Sequence, residues 1–142
     1  MPPERFAPDD PREWLNRARS NLAQASLRLP EVYLEDLCFQ AQQAAEKAIK
    51  AVFIARRTPF PYVHDLARLL TLLEERGEVI PEAVREAERL SRFAVEPRYP
   101  GFGRPVAETE YRELLEDARE VVHWAERRVL ELLGSGGAPG GT

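Results

Sequence analysis

The sequence is short of cysteine, histidine and lysine, and each shortage excludes a class of function. Cys38 is the single cysteine of the 142 residues, so the chain has no internal disulfide, and no Cys/His spacing indicates a zinc site. Residues 1–10 lack the apolar core of a signal peptide, and no apolar run approaches the ~20 residues of a membrane span. We therefore expect a cytoplasmic protein with no metal, cofactor or membrane anchor.

The sequence also lacks an excess of positive charge: 20 Lys and Arg residues against 24 Asp and Glu give a net charge of −4 and a pI of about 5.3. Such a chain does not bind duplex DNA through a broad basic surface, so any anion must be held by a local cluster. The basic residues are almost all arginine, and Lys47 and Lys50 are the two lysines. This bias, with twelve prolines, is compatible with a thermophilic bacterial source.

Motifs of the common catalytic classes are absent: we find no P-loop, Gly-x-Gly-x-x-Gly turn or catalytic triad. Neither of the two histidines has an obvious nucleophile or metal partner in the sequence. His64 precedes a predicted helix, where capping or loop packing is the commoner role. His123 lies in the last predicted helix as a surface or packing residue.

The hydrophobic pattern predicts an all-α protein, an up-and-down bundle of three long and two short helices. Apolar residues recur at helical spacing over about residues 10–29, 31–57, 63–76, 81–94 and 107–133. Asp10 and Glu13 suit a capping box at the first helix, and Gly77 suits the end of the third. No segment alternates like a strand. We divide the chain into an N-terminal extension (1–9), a bundle (10–134) and a disordered glycine-rich tail (135–142).

Two clusters carry the polar chemistry of the sequence. The first is a stripe at steps of four and three along the second predicted helix, beside an alanine-rich face: Asp36, Gln40, Gln43, Lys47 and Lys50. The stripe is either a solvated helix face or a surface for a ligand or another helix, and Glu46 and Lys50 are spaced for an ion pair.

The second cluster is the loop 98–104, where Arg98, Tyr99 and Arg104 stand among glycines. Arginine can hold a phosphate through paired hydrogen bonds, and an aromatic ring can stack on a base. A stiff structural connection is an equal alternative for this loop.

Three segments together resemble the HEPN family, the higher eukaryotes and prokaryotes nucleotide-binding domain. They are 38–51 (CFQAQQAAEKAIKA), His64-Asp65-Leu66 followed by Leu69-Leu70, and Arg98-Tyr99-Pro100. The resemblance covers about residues 14–133. It implies a bundle of four or five helices that pairs as a homodimer and, in many prokaryotic members, a minimal nucleotidyltransferase as partner.

Some members of this family are toxins that cleave RNA with an arginine followed by a histidine. Arg98 matches that arginine, but Gly103, Arg104 and Pro105 stand where the histidine is expected. General acid–base cleavage of RNA therefore lacks its usual group, while phosphate binding by Arg98 does not depend on it.

We weigh three functions on this basis. The first is a homodimeric binding module for a nucleotide or RNA-like ligand, working with a nucleotidyltransferase in a toxin–antitoxin-like pair. Its ligand-binding residues are Gln43, Lys47, Lys50, Arg98, Tyr99 and Arg104. The second is a metal-independent ribonuclease with Arg98 as a catalytic residue and Tyr99 or His64 in place of the missing histidine. The third is a structural bundle whose polar stripe meets another chain.

Overall fold

A computed structural model describes residues 2–94 and 105–137, and all of its regular structure is helical. The helices are α1 (Pro11–Ser26), α2 (Leu34–Ala55), α3 (Leu66–Glu75), α4 (Glu82–Arg85) and α5 (Glu108–Gly137), with a 3₁₀ segment over Glu86–Phe93 between α4 and α5. No strand occurs within the described ranges. The predicted all-α bundle is therefore confirmed.

The core forms where α1, α2 and α5 pack along their length. The alanine-rich face of α2 is buried at Ala41, Ala44, Ala45, Ala48 and Ala51, where small side chains let the neighbouring helices approach closely. Leucines at helical spacing in α3 close one end of this core. The alanines of the second helix thus serve the packing of the bundle itself.

Local chemistry explains most helix ends. The Asp10 side chain accepts a hydrogen bond from Arg12 N at the start of α1, and Asp65 does the same for Ala67 N at the start of α3. Gly77, with φ of +99°, follows α3 in the left-handed conformation that favours glycine. Glu13 does not complete a capping box, because its carboxylate binds Phe6 N and Arg17 instead.

Several predicted boundaries were wrong. α1 ends at Ser26, and Leu29, which we assigned to its inward stripe, is exposed. α2 begins at Leu34, and the fourth helix becomes 3₁₀ after Arg85. α5 continues to Gly137, into the segment predicted as a tail. None of the helices within the described residues is long and apolar enough to cross a membrane.

Candidate functional site

The polar stripe of α2 lies against α1. Asn21 of α1 connects two of its members: Asn21 Nδ2 donates to Gln40 Oε1 over 2.7 Å, and Lys47 Nζ donates to Asn21 Oδ1 over 2.8 Å. Gln40 and Lys47 are two turns apart on α2. Amide and ammonium groups therefore follow the groove between α1 and α2, so this stripe is only partly exposed to solvent.

Gln43 joins the stripe to a buried group of polar residues. Its Nε2 donates to Oε1 of the fully buried Gln42 over 2.8 Å. Gln42 Nε2 in turn donates to Glu46 Oε1 over 2.9 Å and to the main-chain oxygen of His64 over 3.3 Å. We call Gln42, Glu46, Lys50 and His64 the Glu46 cluster.

Glu46 is the centre of this cluster and every oxygen of its carboxylate is used. Lys50 Nζ donates to Glu46 Oε2 over 2.7 Å, and His64 Nδ1 lies 3.0 Å from the same oxygen. Burial raises the pKa of Glu46, but the hydrogen bonds from Lys50, Gln42 and His64 outweigh it and lower the pKa below 4.5. The carboxylate is therefore ionised, and it accepts from all three neighbours.

Lys50 is satisfied inside the protein. Its side chain is 7% exposed, and its ammonium also lies over the Phe60 ring, 5.1 Å from the centroid. The spacing of Glu46 and Lys50 correctly indicated an ion pair, but it gave no sign of this burial. A ligand phosphate would have to compete with Glu46 for Lys50.

His64 is held at one nitrogen and exposed elsewhere. Since an ionised Glu46 can only accept, it fixes Nδ1 as the donor of the neutral ring and leaves Nε2 as the acceptor. The His64 side chain is 61% exposed. A histidine oriented by a carboxylate in this way is equipped for proton transfer at Nε2.

Lys47 has a different environment, a pocket of about 340 Å³ in which three of the four charged lining residues are cations. We call it the cation pocket; it is lined by Arg5, Phe6, Pro8, Glu13, Trp14, Arg17 and Lys47. Burial, followed by the charge of Arg17, lowers the pKa of Lys47. The hydrogen-bond acceptor of Lys47 is the neutral Asn21, and the attraction of Glu46 offsets only part of the effects of burial and Arg17 on its pKa.

One wall of the cation pocket is the N-terminal segment before α1, the N-terminal arm (residues 2–10). Phe6 N donates to Glu13 Oε1 over 2.9 Å, Trp14 Nε1 donates to the oxygen of Pro8 over 2.7 Å, and Asn16 Nδ2 donates to the oxygen of Glu4 over 2.7 Å. Sequence reasoning missed Arg5 because it treated residues 1–9 as an extension, and it missed Trp14 and Arg17 because they lie within the first predicted helix. The basic side chain of Arg5 is the one feature of residues 1–9 that could have indicated an anion site.

Three of the predicted site residues, Arg98, Tyr99 and Arg104, lie outside the described residues. Cys38 is buried, and burial raises the pKa of its thiol to about 12, so it is no nucleophile at neutral pH. His123 is exposed on α5. No group of three or more His, Cys, Asp or Glu side chains suited to a metal occurs in the part of the chain that is described.

Comparison with known proteins agrees with this fold. Residues 11–128 match the HEPN domain family, and the chain therefore belongs to that family. It is similar to the crystal structure of TT1696 from Thermus thermophilus, with 34% identity and a TM-score of 0.68 over 83% of this chain and 97% of that one.

An archaeal HEPN homologue, ST0689, shares the fold at 23% identity and a TM-score of 0.68, over 84% of this chain and 98% of that one. A search of curated proteins gave no match. The match to the family model and the similarity to solved structures thus agree on the fold and the family.

Proposed function

We propose that this HEPN protein binds a phosphate-bearing ligand, a nucleotide or an RNA-like chain, in the groove between α1 and α2. The observation that carries the proposal is the state of Lys47, a half-buried ammonium beside Arg17 whose hydrogen-bond acceptor is neutral. A cation in this position is destabilised in the free protein, and an anion that enters the pocket relieves that cost.

The groove offers chemistry for the rest of such a ligand. Gln43 lies one turn from Lys47, and its amide has both donor and acceptor capacity for a base or a ribose. Trp14 brings an indole ring to the pocket. From the sequence, Arg98 and Arg104 are proposed as further phosphate ligands and Tyr99 as a stacking residue. Lys50, the other lysine predicted as a ligand residue, is paired with Glu46, and we leave it out of the proposed site.

Family membership extends the proposal to partners. We expect a cytoplasmic homodimer that works with a minimal nucleotidyltransferase in a toxin–antitoxin-like pair. Co-expression with the product of a neighbouring nucleotidyltransferase gene, followed by size-exclusion chromatography, tests the assembly.

Ligand binding is tested by titrating a labelled short RNA and ATP at ~100 mM salt, where nonspecific contacts are weakened. Loss of one charge-assisted contact of about 1.5–3 kcal/mol should weaken binding by roughly tenfold or more in Lys47→Gln. Arg127→Gln, which removes an exposed charge of α5, is the matched control and should bind as the wild type does. Equal affinity in both variants would argue against this groove.

A second candidate, a metal-independent ribonuclease, is favoured by the geometry of His64. Its free Nε2 can take the proton of a ribose 2′-hydroxyl while that oxygen attacks the adjacent phosphorus. The P–O5′ bond then breaks, a water molecule protonates the leaving oxygen, and the protonated His64 returns its proton to the resulting hydroxide, which leaves a 2′,3′-cyclic phosphate. Cleavage of RNA in EDTA should disappear in His64→Ala and persist in His123→Ala. Cleavage that survives in both, or is absent from the wild type, removes this candidate.

A third candidate is a structural bundle whose α1–α2 groove contacts a partner chain in place of a ligand. Charge reversal by Lys47→Glu would then change the mass of the assembly, and the wild type itself would show no affinity for RNA or ATP.

A further inference from the structure

We propose that the cation pocket recognises a terminal phosphate group, that of a mononucleotide or of an RNA end, and not the internal phosphates of a strand. This inference rests on the proposed function, because it specifies which part of a phosphate-bearing ligand enters the groove first.

Charge balance is the first argument. Three cationic side chains line the pocket, from Arg5, Arg17 and Lys47, and they face the single carboxylate of Glu13. That carboxylate is already occupied, since Phe6 N donates to Oε1 and Arg17 Nε donates to Oε2. The uncompensated charge is thus close to two positive units. A phosphate monoester carries roughly −1.5 to −2 at neutral pH, whereas a diester within a strand carries about −1, so a terminal phosphate is the better match.

The shape of the pocket is the second argument. The N-terminal arm closes one side, and three hydrogen bonds, from Asn16 to Glu4, from Phe6 to Glu13 and from Trp14 to Pro8, hold it in place. Away from the arm, the boundary between α1 and α2 continues to Asn21, which is hydrogen-bonded to both Lys47 and Gln40. A ligand that ends in the pocket can extend over this polar boundary, whereas a strand that passed through the pocket would have to displace the arm.

The Trp14 ring gives the pocket a rigid apolar wall. Its Nε1 is fixed to the oxygen of Pro8, and its ring contacts Phe60 edge to face, with centroids 5.7 Å apart. Two restraints on one ring reduce the conformational freedom that binding would otherwise remove. The wall stands beside Lys47 and Arg17, where the nucleoside attached to a bound phosphate would lie.

The test compares one short RNA with either a 5′-phosphate or a 5′-hydroxyl, both labelled at the 3′ end, by fluorescence anisotropy. We expect the wild type to prefer the 5′-phosphate by about tenfold, as one charge-assisted contact pair would give. The preference should fall to about twofold or less in Lys47→Gln and in Arg5→Gln. Arg127→Gln should retain it, and thermal melting checks that each variant is folded.

Competition then identifies the source of the phosphate. Displacement of the labelled RNA by AMP at similar concentration supports a mononucleotide, and displacement only by 5′-phosphorylated RNA supports a strand end; both outcomes sustain the inference. Equal affinity for the two RNA ends, with binding still dependent on Lys47, overturns the inference but leaves the proposed function standing. Absence of binding by every probe overturns both.

Discussion

Lys47 and Lys50 lie one turn apart on the same helix, yet their surroundings are opposite in kind. Lys50 is buried and paired with Glu46, which Gln42 and His64 also contact. Lys47 donates to a neutral amide, and its pKa is lowered by burial and by the charge of Arg17, which the attraction of Glu46 offsets only in part. The ammonium of Lys50 is therefore paired inside the protein, whereas that of Lys47 has no direct carboxylate partner among its hydrogen bonds. Helix spacing alone did not separate these two environments, because each depends on residues that folding brings to the lysine.

The largest effect should come from Glu46→Ala, which leaves Lys50 buried without its carboxylate. We expect a loss of about 3–5 kcal/mol in the free energy of unfolding, measured by urea denaturation. Glu120→Ala, at an exposed position of α5, is the control and should change stability by less than about 0.5 kcal/mol. A loss below about 1 kcal/mol for Glu46→Ala would mean that the cluster is not the closed network described above.

The same substitution at the two lysines separates the two regions directly. Lys50→Met should destabilise the protein by about 2–4 kcal/mol, because Glu46 stays buried and loses its main cation. Lys47→Met should be neutral or stabilise by up to about 1 kcal/mol, since it removes a half-buried charge beside Arg17. Similar losses of unfolding free energy in both variants would contradict the proposed difference between the two lysines.

Dependence on pH should distinguish the two regions by the pH range in which each contributes, since stability increases with pH in both ranges. The folded pKa of Glu46 lies below 4.5, so its stabilising contribution is present above about pH 4.5 and is lost as pH falls through the folded value. The folded pKa of Lys47 lies below 10.5, so the folded state releases that proton first and stability rises as pH increases towards 10.5.

Urea denaturation across pH checks both ranges. Glu46→Gln should remove part of the acid-side loss, and the stability advantage of Lys47→Met should shrink on the alkaline side. A pH dependence identical to that of the wild type in either variant contradicts the assignment of that residue.

The smallest effect within the Glu46 cluster is expected for His64→Ala, at about 0.5–1 kcal/mol, because Lys50 and Gln42 still hold Glu46. His123→Ala, which is exposed on α5, gives the baseline in the same urea measurement. A loss as large as that of Glu46→Ala would make His64 a structural member of the cluster and weaken the case for proton transfer at its Nε2.

Helix periodicity predicted the fold well because each long helix buries one continuous stripe of apolar residues. It failed at helix ends, where tertiary packing decides. Leu29 continues the stripe of α1 by spacing, but the helix has already ended at Ser26. The buried residues of Glu86–Phe93 are Ala87, Leu90 and Phe93, which recur at every third position as a 3₁₀ helix requires. Three residues at this spacing also fit one face of an α-helix, so a segment this short did not separate the two forms.

The site was predictable only in part, for a related reason. The Glu46–Lys50 pair follows from helix geometry alone. His64 and Phe60, which complete the surroundings of that pair, come from the segment after α2, and only folding brings them there. Arg5 and Trp14 meet Lys47 across about 30 to 40 positions of sequence, a contact that no local pattern encodes.

The central claim is that an external phosphate binds Lys47 and not Lys50. Because these are the only two lysines in the sequence, one NMR measurement tests the claim. In protein labelled at lysine Cε, the two NMR signals can be assigned with Lys47→Met and Lys50→Met and followed against pH with and without pyrophosphate. The Lys47 signal should titrate below 10.5 in free protein, and pyrophosphate should raise its pKa while leaving the Lys50 signal in place. A Lys47 signal that ignores pyrophosphate, or a response confined to Lys50, would contradict the claim.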